Sequence, residues 1–251
     1  MELIVIGLIV FASGLIQGLS GFGSALVSMS LLPLMIDLKV AVPFVAVNAI
    51  IISVINYYSV RSHFAIKDFI SLFIGSIIGA PIGIMILKFV DQDITKKVLG
   101  ALIIGYSLYC LFKKHTRTVK LKPIWGYVTG VIAGIFGGAC TVNGPPLIIY
   151  LTMKYEDKRK IKSIIAGFFL AAGVVNIFMF ILSGLYTLSV YRYCVGFAIF
   201  TILGVLIGNH YYNKINQNVF KKFVYAFLLV TGIFLVFDHN MLAALREQLE
   251  G

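Results

Sequence analysis

Residues 3–36 read LIVIGLIVFASGLIQGLSGFGSALVSMSLLPLMI and carry no charged side chain. A helix that crosses the ~30 Å hydrocarbon core of a bilayer needs about 20 residues, so this run is too long for one crossing and too short for two full ones. Gly18, Gly21 and Gly23, with Ser20 and Ser24, interrupt its middle, and Pro33 follows. Residues 124–153, IWGYVTGVIAGIFGGACTVNGPPLIIYLTM, repeat the pattern, with the interruption at Gly137–Pro146. Each run is predicted to enter the membrane and return as two helices, at least one of them short.

Six further apolar stretches lie outside these two: 40–60, 69–90, 98–112, 161–185, 193–212 and 223–237. Of the 251 residues, 60% are hydrophobic and 12% charged. A soluble domain has about 25% charged residues, and this chain lacks the polar surface to be one. The net charge of +11 is carried by Lys and Arg in the gaps between apolar runs, as in cytoplasmic loops, and no basic face with interleaved aromatics suggests nucleic acid. Cys110, Cys140 and Cys194 lie far apart inside apolar runs and read as small buried hydrophobes. Glu2 stands where a signal peptide would carry basic residues, so the N-terminus reads as the start of a first membrane segment.

The polar gap KKHTRTVKLK at 113–122 divides the chain nearly in half, and the halves resemble each other. Gly14, Gly18 and Gly21 recur as Gly130, Gly134 and Gly137, an offset of 116. Gly79 and Gly83 recur as Gly204 and Gly208, and Lys96-Lys97 as Lys221-Lys222, an offset of 125. Three anchors in one order point to a duplicated unit, a recurrent feature of secondary transporters. Charge decides the orientation of the two copies. If each long run enters and returns, Arg61, Lys67, the basic residues of 113–122 and 154–162, Lys214, Lys221 and Lys222 share one side. That is fifteen of the 21 Lys and Arg residues; Lys39, Lys88, Lys96, Lys97, Arg192 and Arg246 take the other. Positive charge is retained inside. The expectation is therefore an all-α integral membrane protein of two inverted five-segment repeats, residues 1–116 and 117–251. Each repeat begins with a broken or re-entrant helix, both termini lie outside the cell, and the 113–122 loop lies in the cytoplasm.

The two interruptions are the candidate site. Unwound backbone survives in a bilayer only where it is buried in protein or lines a cavity. The half-helix that follows aims free N–H groups and a partial positive charge at that cavity, and each interruption precedes a proline able to open a new helix. An anion is the natural ligand. The residues expected to meet it are Gln17, Gly18, Ser20, Gly21, Gly23 and Ser24 in the first interruption. In the second they are Gly137, Gly138, Thr141, Asn143, Gly144 and Pro145. Asn48 and Asn176, buried amides in the second stretch of each half, join them as donors. No Asp, Glu, Lys or Arg sits mid-stretch, so the ligand's charge must be met by dipoles and neutral donors. His210 reads as interfacial, and His63 and His115 as loop residues.

At GLSGFGS with its following proline, GAPIG and GxxGG…NGPPLIIYL, the chain resembles the TauE/SafE family of sulfite and organosulfonate permeases. The resemblance covers the whole chain. It implies a multi-pass protein of the plasma membrane that transports a small sulfur-containing anion such as sulfite, a sulfonate or sulfoacetate; related small carboxylates are the alternative. The expected partners are that anion, the bilayer and a coupling ion, with no cofactor or metal. No Walker A pattern occurs, so this chain would not hydrolyse ATP. An anion channel is the second reading, and saturable counter-flow separates it from a transporter. A membrane enzyme is the third, but the stretches hold no Ser/His pair, paired carboxylates or His cluster.

Overall fold

Glycine spacing decides which helices lie side by side. The computed structural model describes residues 2–60, 65–112, 119, 121–212 and 214–237. Among them are ten α-helices and no strand: α1 (Glu2–Ser20), α2 (Ser24–Leu31), α3 (Leu38–Val60), α4 (Ile66–Phe89), α5 (Gln92–Phe112), α6 (Ile124–Cys140), α7 (Gly144–Lys154), α8 (Lys158–Leu182), α9 (Leu188–Tyr211) and α10 (Gln217–Phe237). Seven of these, α1, α3, α4, α5, α8, α9 and α10, are long and apolar enough to cross a membrane. Both over-long runs are split as expected, into α1 with α2 and α6 with α7.

On α1, Gly14 and Gly18 lie one turn apart and press on α9. A Cβ on Gly18 would stand 2.7 Å from the Val205 carbonyl oxygen, and one on Gly208 would stand 2.4 Å from that of Leu15. The same contact joins α4 and α6. A Cβ on Gly79 would come within 2.1 Å of the Val131 oxygen, and one on Gly134 within 2.4 Å of the Ser76 oxygen. Small residues four apart let two helix backbones touch in lipid, where apolar burial alone gives no reason to associate. The pairing exchanges partners between the halves: α1 lies along α9 and α6 along α4, while α5 packs on α10 and α3 on α8.

Polar side chains gather at the two ends of the bundle. At one end Gln92 donates to Asp37 and accepts from the Leu38 N–H, Lys39 donates to the Lys88 carbonyl, and Lys88 to that of Ser183. At the other, Lys154 makes a 2.5 Å salt bridge to Asp68, which also accepts a hydrogen bond from the Tyr155 hydroxyl. Burial, then the neighbouring Asp68, pushes the Tyr155 hydroxyl up to about 12, so it stays protonated and donates. His210 is exposed there, 3.3 Å from Lys214, as the interfacial reading expects. His63, His115 and all of the 113–122 loop except residues 119, 121 and 122 lie outside the described residues.

One expectation about the interruptions needs correcting. Pro33 does not open a helix. It sits in a 3₁₀ turn, Leu32–Leu34, that ends α2, and the new helix begins nine residues earlier at Ser24. A proline can close a short helix as readily as open one when its missing N–H falls in a turn.

Candidate functional site

The two interruptions meet. Gln17, Phe22, Gly23, Ser24, Ala25 and Leu26 from the α1–α2 break and Thr141, Val142, Asn143, Gly144 and Ile148 from the α6–α7 break line one cavity. Ala46 and Ala49 of α3 and Phe169, Gly173 and Asn176 of α8 close it. Its empty space is about 530 Å³, the mouth included. The α3 and α8 residues come from the middle turns of helices long enough to cross a membrane.

The first break is shaped by glycine. Gly21 and Gly23 adopt φ of +84° and +106°, in the left-handed region that glycine occupies without strain. The chain thereby leaves α1 and restarts as α2 within three residues. Gln17 reaches across the break, and its Oε1 accepts from both the backbone N–H of Ser24 (3.0 Å) and the Ser24 hydroxyl. Committing Oε1 to the cap leaves the Gln17 Nε2 group as the end able to donate into the cavity. The first backbone bond of α2 runs from the Val27 N–H to Gly23 O, so the N–H groups of Ala25 and Leu26, at the cavity wall, fall before the ladder begins.

The second break is shaped by threonine and proline. Thr141 takes φ +57°, a costly conformation for a β-branched residue, and its hydroxyl donates to the Val42 carbonyl of α3 at 3.0 Å. The second break supplies fewer freed N–H groups than the first. Pro145 and Pro146 occupy the first turn of α7 and have no N–H, so Gly144 alone offers one at that helix start. Side-chain amides take over the task. Asn143 and Asn176 are 9% and 4% exposed, and among the described residues neither amide has a hydrogen-bond partner. Gly137 makes room for both: a Cβ there would stand 3.3 Å from Asn176 Nδ2 and 3.4 Å from Asn143 Nδ2.

The other expected residues lie elsewhere. Gly18 packs on α9 and Gly138 on α4, where a Cβ would stand 2.3 Å from the Ala80 oxygen. Ser20 turns its hydroxyl to the Ile16 and Phe22 carbonyls. Gly21 lies under the Lys162 side chain. Asn48 accepts from the Thr201 hydroxyl (2.8 Å) and joins α3 to α9. Pro145 is buried in α7 beside the cavity without lining it. Sequence reasoning missed the apolar wall, Phe22, Ala46, Ala49, Ile148, Phe169 and Gly173. Phe22 and Ile148 lie beside the breaks and could have been found there, whereas Ala46 and Ala49 of α3 and Phe169 and Gly173 of α8 carry no signal in the sequence.

What remains is a pocket with three neutral amides, a few free backbone N–H groups, apolar walls and no carboxylate. Such a set stabilises an anion, whose oxygens accept from several donors at once, and offers a cation no countercharge.

A family model described as sulfite exporter TauE/SafE matches residues 6–235. A probable membrane transporter protein of Methanocaldococcus jannaschii is 29% identical over 178 residues, covering 63% of this chain and 64% of that protein. The match thus spans a little under two thirds of that relative's length. No solved structure matches the chain.

Proposed function

The chain belongs to the TauE/SafE sulfite exporter family, and from that premise we propose that it is a secondary transporter carrying a small sulfur-containing anion across the cell membrane by alternating access. The observation that carries the reading is the single cavity where both chain breaks meet, supplied with the amides of Gln17, Asn143 and Asn176 and free of acidic groups. The family's name points to export. An ion gradient or the anion's own gradient supplies the drive.

The two halves, 1–116 and 117–251, are read as inverted repeats. Supporting this, every helix pairing named above maps onto another, or onto itself, when α1–α5 are exchanged for α6–α10: α1 with α9 becomes α6 with α4. Inverted repeats with broken helices at a shared central site are the architecture in which one repeat rocks against the other.

The test is a thermal-shift screen of the purified full-length protein against sulfite, sulfate, sulfonates, sulfoacetate and small carboxylates. A ligand that binds only the folded form raises the melting temperature by mass action. A sulfur anion should give the largest shift, and Asn143→Ala should reduce it at the same ligand concentration. A shift of equal size in the wild type and in Asn143→Ala, Asn176→Ala and Gln17→Ala together would place the ligand outside this cavity.

A further inference from the structure

Two lysines converge on the turn between α1 and α2, outside the cavity wall. Lys162 rises from the first turns of α8, and its stem lies against Gly21. A Cβ there would come within 3.0 Å of Lys162 Cε, 3.2 Å of Cδ and 3.4 Å of Cγ. Its Nζ stands 4.0 Å from the centre of the Tyr212 ring, just beyond α9. Lys221, near the start of α10, places Nζ 5.4 Å from the ring centre of Phe22. Phe22 is itself part of the cavity wall and stacks at 6.4 Å on Tyr225. The ammonium groups are close enough for the charge of Lys221 to bear on Lys162.

Two like charges side by side at a partly buried place repel each other, and a fold ordinarily relieves this with a carboxylate. Among the described residues no carboxylate pairs with Lys162: Asp68 is taken by Lys154, and Asp157 caps the start of α8 by accepting from the Arg159 N–H. Aromatic faces lie beside both ammonium groups, Tyr212 at Lys162 and Phe22 at Lys221. A ring quadrupole fixes the position of a cation and leaves its net charge in place. The result is a positive potential beside Phe22, a residue shared by this cluster and the cavity.

We propose that Lys162 and Lys221 form a charged mouth at the α1–α2 turn, through which small oxyanions reach the cavity past Phe22. The proposal rests on reading the cavity as an anion site. It adds a route, an end of the molecule from which that route opens, and two residues that select by charge.

Two thiol reagents of similar size and opposite charge test it, the sulfonatoethyl and the trimethylammonioethyl methanethiosulfonates. They are applied to the full-length protein in liposomes, with the three native cysteines replaced and Ala49→Cys placed in the cavity wall. Relative to its reactivity with a free thiol, the sulfonate should modify position 49 about tenfold or more faster than the ammonium reagent, the scale of electrostatic focusing in a charged cleft. Adding Lys162→Gln and Lys221→Gln should cut that preference by about fivefold or more, and Lys162→Arg with Lys221→Arg should keep it. Salt should erode the preference in the lysine and arginine proteins and leave the glutamine protein unchanged. Melting temperatures of all three proteins identify any variant that misfolds, and the arginine pair carries the test if the glutamine pair does. The proposal is overturned if the preference survives the glutamine pair, if the arginine pair loses it while folded, or if the sulfonate never reaches position 49. Failure of the cavity reading looks different. Sulfite binding would then ignore Gln17, Asn143 and Asn176, while the reagent preference would still answer to the lysines.

Discussion

Gln17 and Gly18 are neighbours in sequence and face different things. Successive residues of a helix are turned by about 100°, so Gln17 points to the cavity while Gly18 shares a stripe with Gly14 and meets α9. The same rule separates Gly137 from Gly138. Gly138 continues the stripe of Gly130 and Gly134 against α4, and Gly137, one step round, makes room for Asn143 and Asn176. The sequence therefore held enough to divide the glycines into packing and site residues, because those spaced by four belong to the stripe. It could not show that Asn48 would be taken by Thr201, a partner 153 residues away. The energetic roles of the polar residues differ accordingly. Gln17, Asn143 and Asn176 line the cavity proposed to hold the anion, and a hydrogen bond to a charged group is worth about 1.5–3 kcal/mol. Replacing any one by Ala should weaken binding about tenfold or more. Ser24→Ala acts only through Gln17, whose bond to the Ser24 backbone N–H remains, so it should weaken binding by no more than about threefold. Calorimetric titration with the ligand found by thermal shift gives both values; equal losses for Ser24→Ala and Asn143→Ala would contradict the assignment. Thr141→Val keeps the shape of the second break and removes the hydroxyl that binds Val42 O. It should lower stability by about 0.5–1.5 kcal/mol, measured as a fall in melting temperature.

Glycine stripes hold the helices together, and one substitution in a stripe has a predictable sign. At Gly79 a methyl group would stand 2.1 Å from a carbonyl oxygen of α6, a backbone atom that cannot swing away. Overpacking of this kind costs about 1–3 kcal/mol and sometimes more. Gly79→Ala and Gly134→Ala should both lower the melting temperature sharply. Gly105→Ala and Gly196→Ala, where a Cβ meets nothing within 4 Å, should leave it unchanged or raise it slightly, since alanine favours the helix. A Gly79→Ala protein as stable as the wild type would show that the α4–α6 contact is looser than described. Where the long runs divide was legible because glycine and proline punctuate any helix. Which proline did what was not. Pro33 and Pro145 look alike in sequence, and only the left-handed glycines at 21 and 23 put the start of α2 ahead of Pro33 and made that proline a terminator.

At the scale of the whole molecule, charged residues sort to two ends. Asp37, Lys39, Lys88 and Gln92 are joined at one, while Asp68, Lys154 and Tyr155 meet at the other. In the proposed topology, which follows the positive-inside bias, the second end faces the cytoplasm. Cysteines introduced as Lys39→Cys and Lys96→Cys should react with an impermeant maleimide from outside intact cells, and those introduced as Arg159→Cys and Lys214→Cys only after the membrane is opened. Labelling of positions 39 and 159 from the same side would end the inverted arrangement. The sorting of charge to two ends was legible in the sequence, because it is a sum over many residues and survives local errors. The partner exchange was not, since a glycine stripe advertises a close contact without naming the helix that fills it.

That exchange has a consequence for how the protein is made. The stripe of α1 is complete before the ribosome has reached residue 20, yet the surface it fits, on α9, lies between Thr201 and Gly208. At about 5–20 residues per second, translation leaves α1 without its neighbour for roughly 10–40 s. Through that interval the nascent first half sits in the membrane with glycine faces turned to lipid or to the insertion machinery. It follows that neither half is a finished folding unit. A fragment ending at residue 116, expressed alone, should be degraded. Co-expressed with a fragment beginning at residue 117, it should survive and co-purify, because each fragment brings the long glycine-striped helix that the other lacks.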